Sequence, residues 1–339
     1  MDEEAVLVGR YDLGRALVER IITRALKDME NDSRRTARRL VDLGLTLAKG
    51  PFERKFLTAC RQVLEDKASI YDQTLERALR DCDRQTLITF GINAGFEGCS
   101  RGAERIREIE ADRGFNIPWT IRMDVGHEAL NMAWARKIIA QATALGVHVF
   151  RLVDCGLEQE ELMRLLQENP TCAFVLFTTG CREPKWEPEG LSGCHGLLFS
   201  VCAQSPGARA LCHKLTQARM PYAVHLDYDD QSGEILSSIL AGAGELGGLL
   251  VLLRGDRASE QTRQAVSQQI VSARAAGAYP FVPIDLDFDL LVIDRVISSD
   301  ACALSFLPDG RAVTHRGITD ASIKTMSLEE ILLRELAKA

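Results

Sequence analysis

Six places in this chain set ionisable or nucleophilic side chains directly after a short apolar run. They are Asp124 and His127, Asp154 and Cys155, Thr178 and Cys181, Cys202 and Gln204, His225 with Asp227, and Arg254 with Asp256. If the runs are parallel strands, these residues stand at strand C-termini, where α/β barrels keep their functional groups. Imidazoles, carboxylates and thiolates gathered at one mouth could hold a divalent metal or move protons, and a guanidinium among them would pair with an anion. The same residue types also make an ordinary polar rim. Cys155, Cys181 and Cys202 could converge as a trio, but no CxxC pair occurs, and cysteine often serves as a small hydrophobe. The adjacent pairs Cys194-His195 and Cys212-His213 send their side chains apart. His148 alternates with Val147 and Val149 and reads as packed. The glycines at 242, 244, 247 and 248 follow a helix and precede a strand, the reverse of a phosphate loop.

The elements that must position these groups follow from periodicity. Residues 1–115 read as almost entirely helical. Leu13, Leu17, Ile21, Ile22, Ala25, Leu26 and Met29 recur at helical spacing, and Asn31-Asp32-Ser33 restarts a helix through Leu40 and Leu45. Lys49-Gly50-Pro51 stops it, and further helical stretches fit 52–66, 69–82 and 84–112. From Asn116-Ile117-Pro118 strands and helices alternate. Strands fit 119–125, 147–153, 173–178, 196–202, 222–227 and 248–253; helices fit 128–145, 157–168, 207–219, 231–244 and 258–276. The segment Cys181 to Gly193 is too rich in proline and glycine for a full helix. The spacing therefore predicts an α/β fold: a partial, six-stranded (β/α)6 TIM-like barrel over 116–283. The alternation stops after Pro283. Residues 284–339 read as a hairpin-helix extension, with an Asp309-Gly310 turn and a helix over 327–337 capped by Ser327 and Glu330.

A net charge of −7 argues against a dedicated nucleic-acid surface, and Arg34-Arg35 with Arg38-Arg39 reads as a solvated helix face. The longest apolar run, Leu249 to Leu253, is far too short to span a bilayer. Met1-Asp2-Glu3-Glu4 is acidic where a signal peptide would be basic, so ten scattered cysteines read as reduced thiols in a cytoplasmic protein.

Four stretches resemble bacterial radical S-adenosylmethionine (SAM) proteins with a helical N-terminal segment and a SPASM-like C-terminal extension. They are Asn116-Ile117-Pro118-Trp119; Ala144-Leu145-Gly146-Val147 with Val149-Phe150; Phe174-Val175-Leu176-Phe177-Thr178-Thr179-Gly180; and Leu304 to Gly310 with Ser327-Leu328-Glu329-Glu330-Ile331-Leu332. In that family the loop after the first strand carries three cysteines that hold an iron–sulfur cluster. Here Gly126-His127-Glu128 leads straight to a helix. The family's Gly-Gly-Glu-Pro strand end, which positions SAM, is matched by Val153-Asp154-Cys155-Gly156. Ser200-Val201-Cys202-Ala203 replaces an acidic, glycine-bearing turn, and Val313-Thr314-His315 falls where an auxiliary-cluster cysteine would stand.

The resemblance thus implies a degenerate member of the radical-SAM superfamily: a pseudoenzyme with neither a [4Fe–4S] cluster nor SAM. Its extension would be SPASM-like without cluster ligands. Its role would be a scaffold or partner-binding protein for an active radical-SAM paralogue or a peptide, with no nucleic acid and no membrane. One alternative is a cluster-free enzyme using the barrel mouth for metal-assisted or acid–base chemistry. Another is a radical-SAM enzyme with an unconventional cluster on Cys155, Cys181 and Cys202. In each case the candidate ligand-binding residues are Asp124, His127, Asp154, Cys155, Cys181, Cys202, His225, Asp227 and Arg254, with no metal ligands assigned.

Overall fold

A computed structural model describes residues 15–24, 33–48, 50, 54–55, 57–58, 61–62, 65, 70–126, 129–180, 183–232, 236–298 and 302–338. Among the described residues one ten-stranded sheet organises the chain, in the order β10 (Gly317–Ser322), β9 (Arg311–Thr314), β8 (Leu304–Phe306) and then β1 to β7, whose ranges follow. Strands β1 (Thr120–Val125), β2 (Val149–Asp154), β3 (Ala173–Phe177), β4 (Leu197–Cys202), β5 (Tyr222–Asp227), β6 (Leu250–Arg254) and β7 (Val282–Asp285) are consecutive and parallel. The structure is therefore a mixed α/β fold with a large, mostly parallel sheet, and the predicted six strands become seven. Pro283 reads in sequence as a stop. It is tolerated inside β7 because that strand is the sheet's edge, where a missing N–H breaks no essential ladder.

The crossover helices all lie on one face. Residues of one parity along each strand, among them Ile121, Met123, Phe150, Leu152, Phe174, Leu176, Phe199 and Val224, form the main core. The helices over them are α6 (Ala129–Ala144), α7 (Gln159–Glu168), α8 (Ala208–Gln217), α9 (Leu236–Gly244) and α10 (Glu260–Ala276). Between β3 and β4 only a single 3-10 turn forms, at Pro188–Leu191, as the broken composition of that segment suggests. The opposite parity carries a smaller cluster of Val153, Phe177, Ala223 and Leu252. Leu286 and Leu290 of α11 (Leu286–Ile297), a helix beyond the predicted alternation, pack onto that second face, called the inner face below.

The extension does not stand apart from this sheet. β8 (Leu304–Phe306) pairs in parallel with β1, so β1 is not an edge. β9 (Arg311–Thr314) returns antiparallel through a turn in which Gly310 takes φ +84°, and β10 (Gly317–Ser322) adds a further edge strand. α12 (Leu328–Glu335) has the expected capping box: the Ser327 hydroxyl accepts from the Glu330 N–H, and the Glu330 carboxylate accepts from the Ser327 N–H.

At the other end, after α1 (residues 15–24), α2 (Ser33–Leu47) and α3 (Ile70–Asp81), residues 84–113 form one long helical rod that abuts the sheet. α4 (Arg84–Gly91) and α5 (Gly102–Arg113) flank ten residues of π-helix, Ile92–Arg101. Two glycines let it approach the strands: a Cβ on Gly98 would lie 2.8 Å from Val149 Cγ2, and one on Gly102 2.2 Å from the Gly146 carbonyl. Ile106 and Ile109 enter the main core. Replacing the fully buried Ile106 by alanine should cost about 2–5 kcal/mol in chemical unfolding, because the docked backbone cannot close the hole. Helical residues 15–24 pack on this rod through Val18 and Ile22. Leu17, which the helical spacing assigns to the buried stripe, is 58% exposed, whereas Ile22 of the same stripe meets the rod and Val18 takes the place of Leu17. The side chain of Leu40 lies outside the described residues.

Candidate functional site

Side-chain parity sorts the strand-end residues into two groups. Asp124, Cys155, Cys202, His225, Asp227 and Arg254 share the inner face with Val153 and Phe177, whereas Asp154 belongs with Phe150 and Leu152 on the helical side. The buried Asp154 carboxylate accepts from the backbone N–H groups of Gly156 and Leu157, each at 2.8 Å, and from Trp186 Nε1 at 2.8 Å. It ties down the loop after β2 and has three donors already. His127 and Cys181 lie outside the described residues.

At the end of β5, Asp227 and Arg254 form a bidentate pair, with Nε–Oδ1 at 2.6 Å and the second nitrogen–oxygen contact at 3.0 Å. The guanidinium carbon lies 5.8 Å from the Phe177 ring centroid. Gln204 bonds the Asp227 backbone in both directions, and the Thr178 hydroxyl accepts from the Cys202 N–H, so both side chains stitch neighbouring strand ends together. Cys202 is buried beside Gly180. Cys155 is half-buried at the rim of the inner apolar cluster, and β3 separates its strand from that of Cys202. None of the described cysteines forms a disulfide. Burial pushes the Cys172 thiol up to about 11 and the Cys212 thiol up to about 12, which suits core packing rather than nucleophilic chemistry.

His225 is almost wholly buried, with Nδ1 2.9 Å from the Ser200 hydroxyl and its ring tilted 60° against Phe177. Burial, reinforced by the nearby Arg254 charge, pushes its pKa down to about 3, so the imidazole stays neutral at physiological pH. Its Nε2 is buried without a hydrogen-bond partner. Asp124 is held above the usual carboxylate range by burial, against the pull of Arg122, whose Nε is 3.5 Å from Oδ1. Arg122 also reaches Asp256 at 3.7 Å.

Two arginines of this face escape a reading confined to strand ends. Arg122 and Arg151 are mid-strand and sit directly side by side in the β1–β2 register. The signal is in the chain: an arginine between Phe150 and Leu152, two large apolar residues of the other parity, must face something other than the helices.

β1 ends at Val125 and Gly126 follows it, and the sequence has no cysteine from Asp124 to Asp154. Gly126 takes φ +93°, and a Cβ there would lie 2.4 Å from the Leu157 nitrogen, so the turn is pressed against the loop after β2. Cys155 N–H donates to the Val125 carbonyl at 2.8 Å, closing the same contact. Among the described residues no group of three or more His, Cys, Asp or Glu is arranged to hold a metal ion, and no helix is long and apolar enough to cross a membrane. Two surface clefts, of about 440 Å³ along helical residues 16–24 and about 480 Å³ between α9 and α10, contain none of the strand-end residues.

No protein-family model matches the sequence, and no curated protein does. Among solved structures the chain is similar to Streptococcus suis SuiB bound to precursor peptide SuiA, with 9% identity and a TM-score of 0.47 over 68% of this chain and 67% of that one. SuiB bound to S-adenosylmethionine gives 10% identity and a TM-score of 0.48, over 68% and 66%. For 3-dehydroquinate dehydratase from Geobacillus kaustophilus the values are 11% and 0.39, over 56% and 82%. The chain thus spans about two thirds of SuiB.

Proposed function

We propose that the protein is a radical-SAM-like scaffold that works without an iron–sulfur cluster and without SAM, binding a partner that is either an active radical-SAM paralogue or a peptide. The observation that carries this reading is the turn after β1. Where the family resemblance places a cysteine-bearing loop, the sequence has no cysteine from Asp124 to Asp154, and Gly126 is pinned against Leu157. The residues present do not fit the cluster. The other strand ends support the same reading, because Asp154 is saturated by three donors and Asp227 is paired with Arg254. Charges that satisfy one another have no need of a substrate.

A second reading, cluster-free chemistry on the inner face, is favoured by the buried Ser200–His225 contact with its unpartnered Nε2. A histidine titrating near 3 is nevertheless a poor general base at neutral pH.

Calorimetric titration with SAM should give no heat beyond dilution. Sedimentation of the protein with an intact radical-SAM paralogue, or with such an enzyme's peptide substrate, should give a discrete complex. Saturable SAM binding with no complex in either mixture would contradict the scaffold role.

A further inference from the structure

We propose that the inner face carries a binding site for a small organic monocarboxylate, seated on Arg122 and Arg151. This inference does not rest on the scaffold reading.

The site begins with a register pair. Arg122 of β1 faces Arg151 of β2 directly across neighbouring parallel strands, so two guanidinium stems rise about 5 Å apart on the same side of the sheet. Like charges placed so are destabilising unless a counter-charge sits between them. Arg122 has partial compensation from Asp124 at 3.5 Å and Asp256 at 3.7 Å. Arg151 has no direct partner: among the described residues it makes no hydrogen bond or ion pair, its Nε is buried without a partner, and Asp294, Asp287 and Asp256 act on it only through space. The side chain is only half-buried as a whole, so part of the guanidinium remains reachable. Burial and the Arg122 charge lower its pKa to about 10, which leaves it a cation at neutral pH.

The surroundings define the ligand. Thr120, two residues before Arg122 on the same face, is 3% exposed, and its hydroxyl is a second buried group without a partner. Ser305 of β8 flanks Arg122 on the far side. Two guanidinium forks and a hydroxyl all offer donors, which calls for an acceptor-only group with a negative charge. Of the acids whose charge acts on Arg151, Asp294 keeps its proton at neutral pH, while Asp287 of α11 and then Asp256 argue against a dianion. A carboxylate therefore fits better than a phosphate. The next inner residue of β2 is Val153, where a buried apolar cluster with Phe177, Leu252 and Leu286 begins.

The test is calorimetric titration of the full chain with benzoate at fixed ionic strength, alongside inorganic phosphate and chloride. Benzoate should bind saturably at one site, and phosphate should be at least about tenfold weaker. Arg151→Met should abolish the benzoate signal and raise the thermal midpoint of the ligand-free protein, since it removes a cation whose buried Nε has no hydrogen-bond partner. Arg151→Lys keeps the charge, loses the fork, and should weaken benzoate about tenfold. Should the methionine variant fail to fold, the lysine variant decides. The proposal is overturned if wild type gives no saturable benzoate binding, if phosphate binds as well as benzoate, or if benzoate binds both variants as it binds wild type. A lower midpoint for ligand-free Arg151→Met would likewise show that Arg151 is held by the fold itself.

Discussion

Replacing Glu97 by alanine is expected to lower the unfolding free energy by about 3 kcal/mol, the lower end of the range for breaking a buried ion pair. Glu97 is completely buried in the π-helical segment, with one oxygen 2.9 Å from Arg15 and the other 3.2 Å from Arg101. Asn93, a turn earlier and equally buried, accepts from Arg15 at 2.7 Å and donates to the carbonyls of Pro170 at 3.0 Å and Cys172 at 2.7 Å. The pair thus links helical residues 15–24, the rod and the start of β3. Both arginines keep some solvent contact, which is why the loss falls at the low end. Glu97→Gln, which keeps the shape and one acceptor, should lose less. Urea unfolding measures both, and a loss below about 1 kcal/mol for the alanine variant would mean that the Arg15 contact does not hold the first helix in place.

The second large effect is a pH dependence. Asp294 of α11 is 3% exposed, accepts the Trp119 N–H at 3.1 Å, and is pushed by burial from the ordinary 3.8 up to about 8, with the buried Glu110 adding to the rise. In the unfolded chain the carboxyl releases its proton above about pH 4; in the folded chain it keeps it until about pH 8. Unfolding therefore releases a proton throughout that window, and Asp294 erodes stability as pH rises from 4 to 8, by a total on the order of 5 kcal/mol. Asp294→Asn can still accept from Trp119 and carries no such linkage. Its stability relative to wild type should climb steadily between pH 4 and pH 8 in parallel urea titrations. A difference that stays flat across the window would show that Asp294 is ionised in the folded protein.

Much of the fold is legible in the sequence, because apolar runs bounded by glycine and capping residues place every strand from β1 to β6 and their helices within a few residues. What escapes the sequence has identifiable causes. β7 hides behind Pro283, whose meaning depends on whether its strand is central or at an edge, and only the assembled sheet decides that. The π-helix over Ile92–Arg101 follows from two close approaches, Gly98 to Val149 and Gly102 to Gly146, between residues distant in sequence. Leu17 faces solvent because Val18 and Ile22 meet the rod instead.

The strand-end residues are legible in the sequence, and the alternation of each strand sets which face they take. Asp154 shares the parity of Phe150 and Leu152, and that alone turns it toward Trp186 and away from Asp124 and Arg254. The same alternation, applied to the middle of the strands, singles out Arg122 and Arg151.

Anaerobic reconstitution with iron and sulfide tests the central claim most directly. If the chain is a scaffold whose β1 turn has no seat for a cluster, the desalted protein should carry no stoichiometric iron or sulfide and should not absorb near about 400 nm, where thiolate-to-iron charge transfer falls. A brown protein with about four irons per chain, whose colour is lost on replacing Cys155 or Cys202 by alanine, would contradict the account and restore a radical-SAM chemistry built on an unconventional cluster.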